Sequence, residues 1–189
     1  MLAHRERRRF TPEEYLVLEE HSDTKSEYCQ GDIFVMSGAS IAHNQLVRNL
    51  TSGLDPALRD GPCQLFVADL RLHVAAHNLF TYPDLFVVCG PLAPLGGRND
   101  TLTDATFVVE VLSPSTQAYD RGQKFLFYQD LPSFQEYLLV SQDMQKVELC
   151  TLQRRGQWLS TQITDGEFEL KSLGVSLKLA EIYRGVTLA

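Results

Sequence analysis

The chain has 189 residues, 44% of them hydrophobic and 22% charged, with a single tryptophan. This length and apolar share predict one globular domain with a sizeable core, and no apolar run reaches the ~18 residues that span a bilayer. The net charge of −7 argues against tight non-specific binding to nucleic acid, which depends on neutralising phosphates with Lys and Arg.

Residues 1–9 form a basic arm containing Arg5, Arg7, Arg8 and Arg9. No hydrophobic segment stands behind it, so it is not a secretory signal; it is either a solvated tail or a segment that touches nucleic acid. A single domain is expected over residues 10–189. Thr11, Pro12 and Glu14 make a compact helix start with a capping box, and the helix should run to about His21. Residues 25–37 read as a turn and strand bent at Gly31-Asp32, with Ile33 and Val35 on one face. After a break at 38–40, Val47, Leu50, Leu54 and Leu58 recur at helical spacing from Ile41 to about Arg59, and Gly61-Pro62 ends that helix.

Residues 64–75 predict a strand in which Leu70, Leu72 and Val74 share a face. Leu65 and Val67 have the opposite parity, so both faces are partly buried or a bulge sits near Ala68-Asp69. Asn78 marks a turn, and 79–89 return as the strand carrying Asp84. Residues 90–103 are the longest loop, 105–112 the strand carrying Glu110, and about 116–128 a helix. Strands follow at 137–140, 146–152, 156–163 and 167–170, then a short helix at 179–185. This order is mixed α/β around one sheet. Cys29, Cys63, Cys89 and Cys150 contain no C-x-x-C pair, which argues against structural zinc and a disulfide framework, and points to a reducing cytoplasmic setting. Cys89 and Cys150 read as small buried hydrophobes.

The chemistry concentrates in three charges. Asp84 heads the apolar run Leu85-Phe-Val-Val88, and Glu110 interrupts Phe107-Val-Val-Glu-Val-Leu112. A carboxylate there is costly to desolvate unless a cation, a hydrogen bond or water compensates it. If the two strands are neighbours, one register brings both carboxylates to one patch, within ~5 Å or one bridging cation, as hard divalent cations require. The bland alternative is a turn hydrogen bond for Asp84 and an arginine partner such as Arg71 for Glu110. Asp120, Lys124, Phe127 and Tyr128 share one helical face, which sets Lys124 either snorkelling outward or reaching a buried partner. Asp120 can hold Lys124 as an i,i+4 pair. His73 and His77 fall on a strand and its turn, where their spacing does not converge on zinc. Ser113-Pro-Ser-Thr116 is no nucleophile elbow, and no phosphate-binding glycine loop occurs.

These stretches, taken in order, resemble one family. They are Lys25-Ser-Glu-Tyr-Cys-Gln-Gly-Asp-Ile33, His43-Asn44, Ala68-Asp-Leu-Arg71, Tyr82-Pro-Asp-Leu85, Val109-Glu-Val-Leu-Ser-Pro-Ser-Thr116, Asp120-Arg-Gly-Gln-Lys124 and Glu136-Tyr-Leu-Leu-Val140. The pattern is similar to the PD-(D/E)XK nuclease superfamily and, within it, to the Uma-type restriction-endonuclease family, formerly a domain of unknown function. The resemblance extends from about residue 10 to the C-terminus. It implies a restriction-endonuclease-like α/β core with flanking helices and a C-terminal antiparallel extension. It further implies Mg²⁺ or Mn²⁺ on Asp84 and Glu110, a catalytic Lys124, and a homodimer. The lysine of the superfamily pattern, two residues after the glutamate, is replaced here by Leu112, and Lys124 resembles its migrated replacement. Glu27 resembles the family's N-terminal acidic residue, to bind metal through water or orient Lys124; as a bare residue it reads equally as a surface turn glutamate. His43 and Asp69 join Asp120 as supporting candidates, His43 reading otherwise as a core or capping histidine.

The leading expectation is a metal-dependent phosphodiester hydrolase, a DNA endonuclease that binds DNA weakly alone and takes its targeting from a partner protein. Loss of Lys124 is expected to abolish or greatly reduce cleavage while leaving the fold and metal binding nearly intact. The alternative is a catalytically inactive nuclease-fold domain acting as a binding or regulatory module. A two-carboxylate glycosidase is disfavoured because no tryptophan lies near the carboxylates.

Overall fold

The protein is described by a computed structural model covering residues 8–188. The basic arm therefore lies mostly outside the described residues. Its last two arginines lie within them: Arg8 pairs with Glu14 at 3.2 Å, and Arg9 donates to the Gln30 carbonyl at 2.9 Å.

Helix α1 (Pro12–Glu20) starts as its sequence dictates, with Thr11 accepting from the Glu14 amide and Glu14 accepting from the Thr11 amide. Strands β1 (Ser26–Cys29) and β2 (Asp32–Val35) form the hairpin bent at Gly31. Helix α2 (Ile41–Leu58) is capped by Ser40 and buries Ala42, Leu46, Leu50, Leu54 and Leu58. The inward stripe thus runs through Leu46, with Val47 on its flank. Each fully buried leucine contributes ~1.5–3 kcal/mol of hydrophobic stabilisation.

The two long strands expected at 64–75 and 79–89 are each divided. β3 (Cys63–Val67) and β4 (Arg71–Val74) belong to different sheets, and so do β5 (Leu79–Thr81) and β6 (Leu85–Cys89). The opposite parity of Leu65/Val67 and Leu70/Leu72/Val74 reflects this passage rather than a bulge. The chain turns at Ala68, where φ is 45°, and at Tyr82-Pro83-Asp84, where proline supplies no ladder N–H. β7 (Thr101–Leu102) lies in the long loop and pairs with β4 in parallel. β8 (Phe107–Leu112) is buried along its whole length. α3 (Gln117–Tyr119) passes through a π-helical turn, Asp120–Lys124, into α4 (Phe125–Tyr128). β9 (Glu136–Ser141), β10 (Val147–Leu152) and β11 (Trp158–Ile163) follow, then the hairpin of β12 (Glu167–Leu170) and β13 (Val175–Lys178), and α5 (Leu179–Ile182).

Six strands form one sheet in the order β11-β10-β9-β8-β6-β3, in which β8 and β9 are parallel and the other neighbours antiparallel. A second sheet runs β2-β1-β5-β4-β7. The strands thus divide between sheets instead of surrounding one. On one face of the larger sheet, α2, α5 and the β12–β13 hairpin bury Leu85, Val87, Val109, Leu138 and Val140. Gly53 of α2 lets Leu177 of β13 approach, since a Cβ there would stand 3.3 Å from its methyl. β13 escaped sequence reading because Gly174 and the alternation Val-Ser-Leu-Lys are too short to carry a pattern. On the other face, Phe86, Val88, Val108 and Leu112 meet Phe127, Tyr128 and the second sheet's Leu72 and Val74. No described helix is long and apolar enough to cross a membrane.

The expectation of unbonded cysteines is corrected at one pair. Cys63 and Cys89 stand opposite each other in the β3–β6 register and are disulfide-bonded, 26 residues apart in sequence. Spacing alone carries no sign of this, because the pairing is created by strand register. Cys29 and Cys150 are free, and Cys150 is buried as expected.

Candidate active site

β6 and β8 run antiparallel with Leu85 opposite Val109, so the preceding position sets Asp84 opposite Glu110. Asp84 shares strand parity with Phe86 and Val88, and Glu110 with Val108 and Leu112. These four apolar residues belong to one core cluster, so both carboxylates project to the same sheet face. Asp84 is anchored twice: its Oδ2 accepts from the Val111 amide at 2.7 Å, and its Oδ1 meets His43 Nε2 at 2.9 Å. His43 is held at the start of α2, where its amide donates to Ser40 Oγ.

Glu110 is 5% exposed. Its Oε1 accepts from the Tyr128 hydroxyl at 2.9 Å and lies 2.9 Å from Lys124 Nζ. Lys124 is equally buried, and its ammonium also reaches Glu27 Oε1 at 3.1 Å and Asp120 Oδ1 at 3.9 Å. Glu27 comes from β1, where it accepts from the Thr81 hydroxyl and from the Tyr82 amide at 3.3 Å. The inward helical face read from sequence is realised: Asp120, Lys124, Phe127 and Tyr128 are all buried. Its π-helical turn is of a kind common at functional sites, and the Tyr137 hydroxyl secures it by donating to the Asp120 carbonyl at 3.2 Å.

Four carboxylates here face one ammonium, an excess of three negative charges when all are ionised and His43 is neutral. Burial pushes the Glu110 carboxyl up to about 8; Asp84, Asp120 and Glu27 add to that rise while Lys124 opposes it. Burial likewise raises Asp120. For Lys124, burial favours the neutral amine, but Glu110, Glu27 and Asp120 outweigh it and hold the pKa well above the ordinary lysine value. The site therefore retains its ammonium and strains to keep every carboxylate ionised.

Among the described residues no group of three or more His, Cys, Asp or Glu has metal-binding geometry. The donor set fits an ion that takes few of its ligands from the protein. Asp84 and Glu110 offer hard oxygens from facing strand positions, and no hydrogen bond from the described residues reaches Glu110 Oε2. Mg²⁺ is commonly held by one or two carboxylates with water completing its shell, and the excess negative charge favours such a cation.

The structure thus brings together Asp84, Glu110, Lys124, Glu27, Asp120 and His43. It does not bring Asp69, whose carboxylate pairs with Lys25 on a side chain 79% exposed. The arginine alternative for Glu110 also fails, since Arg71 pairs with Asp100. His73 stacks on Phe80, whereas His77 stacks on Phe127 and meets Asp130. Two contributors were missed from sequence. Tyr128 was placed on the correct face but read as apolar, without its hydroxyl bond to Glu110. Thr81 carried no signal at all.

This arrangement of mixed sheets, flanking helices and a buried acid–lysine cluster is a restriction-endonuclease-like nuclease fold. A solved chain described as a putative nuclease belonging to DUF820, from Anabaena variabilis ATCC 29413, shares it with a TM-score of 0.75. The match covers 94% of this chain and 99% of that one at 18% identity. The family model described as Uma2, putative restriction endonuclease, matches residues 12–182, and the chain belongs to that family. It is also similar to two uncharacterized proteins of Synechocystis sp. (strain ATCC 27184 / PCC 6803 / Kazusa). Identity to slr1290 is 39% over 182 residues, 94% of this chain and 93% of that protein. Identity to sll1609 is 36% over 161 residues, 85% and 91% respectively.

Proposed function

We propose that this protein is a Mg²⁺- or Mn²⁺-dependent endonuclease that hydrolyses phosphodiester bonds in DNA. The observation that carries this reading is the Lys124 ammonium, buried between Glu110 and Glu27 on the sheet face that Asp84 shares. Asp84 and Glu110 would hold the cation, which when bound supplies charge stabilisation at the phosphoryl group. His43 and the Val111 amide orient Asp84, and the Tyr128 hydroxyl orients Glu110. Lys124 donates to the phosphate oxygen on which negative charge grows during attack. Glu27 and Asp120 keep that ammonium charged and aimed.

In this reading residues 10–189 act as one domain, and two copies cut the two strands. A partner supplies targeting that a chain of net charge −7 does not. The test is nicking of supercoiled plasmid at low salt with Mg²⁺ or Mn²⁺. Wild type should cut, EDTA and Glu110→Ala should abolish cutting, and Lys124→Ala should greatly reduce it. A second reading, an inactive nuclease-fold module, is favoured by the net charge of −7 and by an ammonium already engaged by two carboxylates. It prevails if wild type cuts neither DNA nor RNA with either metal.

A further inference from the structure

Phe34 has no part in the chemistry above, yet it stands beside it. In the β1–β2 hairpin it lies directly opposite Glu27, and opposed residues of an antiparallel pair project to the same face with Cβ atoms about 4.5–5.5 Å apart. Glu27 reaches Lys124 from that face. Phe34 is nonetheless 53% exposed, and its ring has no aromatic partner among the described residues. A large apolar ring left in solvent at the rim of a buried charged cluster has hydrophobic area to bury, and among the described residues none stacks on it.

The charge balance indicates what covers it. Lys124 is engaged by Glu110 and Glu27, and His43 by Asp84. The site therefore carries excess negative charge and holds substrate poorly through phosphates. Base–aromatic stacking is the contribution to nucleic-acid binding that needs no positive charge, and it requires a base removed from its duplex.

We infer that Phe34 is a stacking platform for an unpaired base, so that the site takes single-stranded or locally splayed nucleic acid. The inference rests on the proposed nuclease reading and adds the state of the substrate to it. Phe34 is a positioning residue: it sets the strand against the site without touching the reacting atoms.

The experiment is equilibrium binding by the full chain at low salt without divalent cation, using fluorescent oligo(dT) and the same strand with abasic positions. Wild type should prefer the intact strand about ten-fold or more. Phe34→Leu, which keeps apolar bulk and loses the π face, should erase that preference, and Phe34→Trp should restore it with quenching of the new indole. Equal binding of both strands by wild type, or a preference retained in Phe34→Leu, overturns the inference. So does a variant that alters self-association on size exclusion while leaving oligonucleotide binding unchanged, which would make β2 a protein-contact edge. Because no cleavage is read, the result stands apart from plasmid nicking by wild type, which decides the nuclease reading itself.

Discussion

Lys124 is the residue whose environment most changes what its removal should do. It is buried against Glu110 and Glu27 with Asp120 nearby, so truncation leaves buried carboxylates uncompensated, a loss of ~3–5 kcal/mol when one partner of a buried pair is deleted. The sequence-based expectation of a nearly intact fold is therefore revised. Lys124→Ala should lower thermal stability as well as cleavage, the latter by ~10²–10³-fold. Urea unfolding beside the nicking assay separates the two effects. Glu110 makes a pH prediction whose sign follows from its direction of shift. Its folded carboxyl titrates near 8 against an ordinary 4.5, so the folded state retains this proton longer than the unfolded chain does. The stabilising contribution is full below pH 4.5 and lost as pH rises through about 8. In EDTA the melting temperature should fall across this range, and less so in Glu110→Gln. Mn²⁺ should offset the fall at high pH, because the cation favours the ionised carboxylate. Melting curves that are flat with pH in wild type, or equally steep in Glu110→Gln, would remove Glu110 as their cause.

At the scale of elements, α2 shows how periodicity locates a helix and misplaces part of its stripe. Both Leu46 and Val47 lie near the arc defined by Leu50, Leu54 and Leu58, and packing against β8, β13 and α5 decides between them. Leu46→Ala should cost ~2–5 kcal/mol, as deletion of a fully buried leucine does, and Val47→Ala distinctly less; chemical denaturation of the pair reads the difference. The helix over 117–128 was legible as an inward face. Its π-helical turn was not, since a change of hydrogen-bond register leaves the residue types unaltered. The division of 64–75 was visible as a parity conflict, but parity cannot say whether a chain bulges or crosses to another sheet, and the division of 79–89 was not read from the sequence at all.

At the scale of the whole molecule, the Cys63–Cys89 bond ties edge strand β3 to β6 at the end remote from Asp84. Closing a loop of this sequence separation stabilises by about 3 kcal/mol in the chain-entropy view. Reduction should therefore lower the urea midpoint while leaving plasmid cleavage unaltered, with thiol titration confirming the state of the pair. If reduction also abolishes cleavage, the sheet transmits strain from its edge to the site. Metal binding belongs to this scale too, because its ligands come from separate strands. Calorimetry should find weak Mn²⁺ binding in wild type and none in Asp84→Asn; equal heats in both would remove Asp84 from the site.

Much of the candidate site was determined by the sequence itself. Carboxylates at Asp84 and Glu110 inside apolar runs, and a lysine on the inward face of the next helix, are marked by the cost of burying charge, and that cost is readable one residue at a time. The tertiary structure decided the pairings. Register set Asp84 against Glu110 and Cys63 against Cys89, and the β1–β5 pairing brought Glu27 to Lys124. It also left Asp69, adjacent in pattern, exposed beside Lys25. Contacts between residues far apart in the chain depend on how strands align and sheets stack, and composition and periodicity carry no record of that alignment.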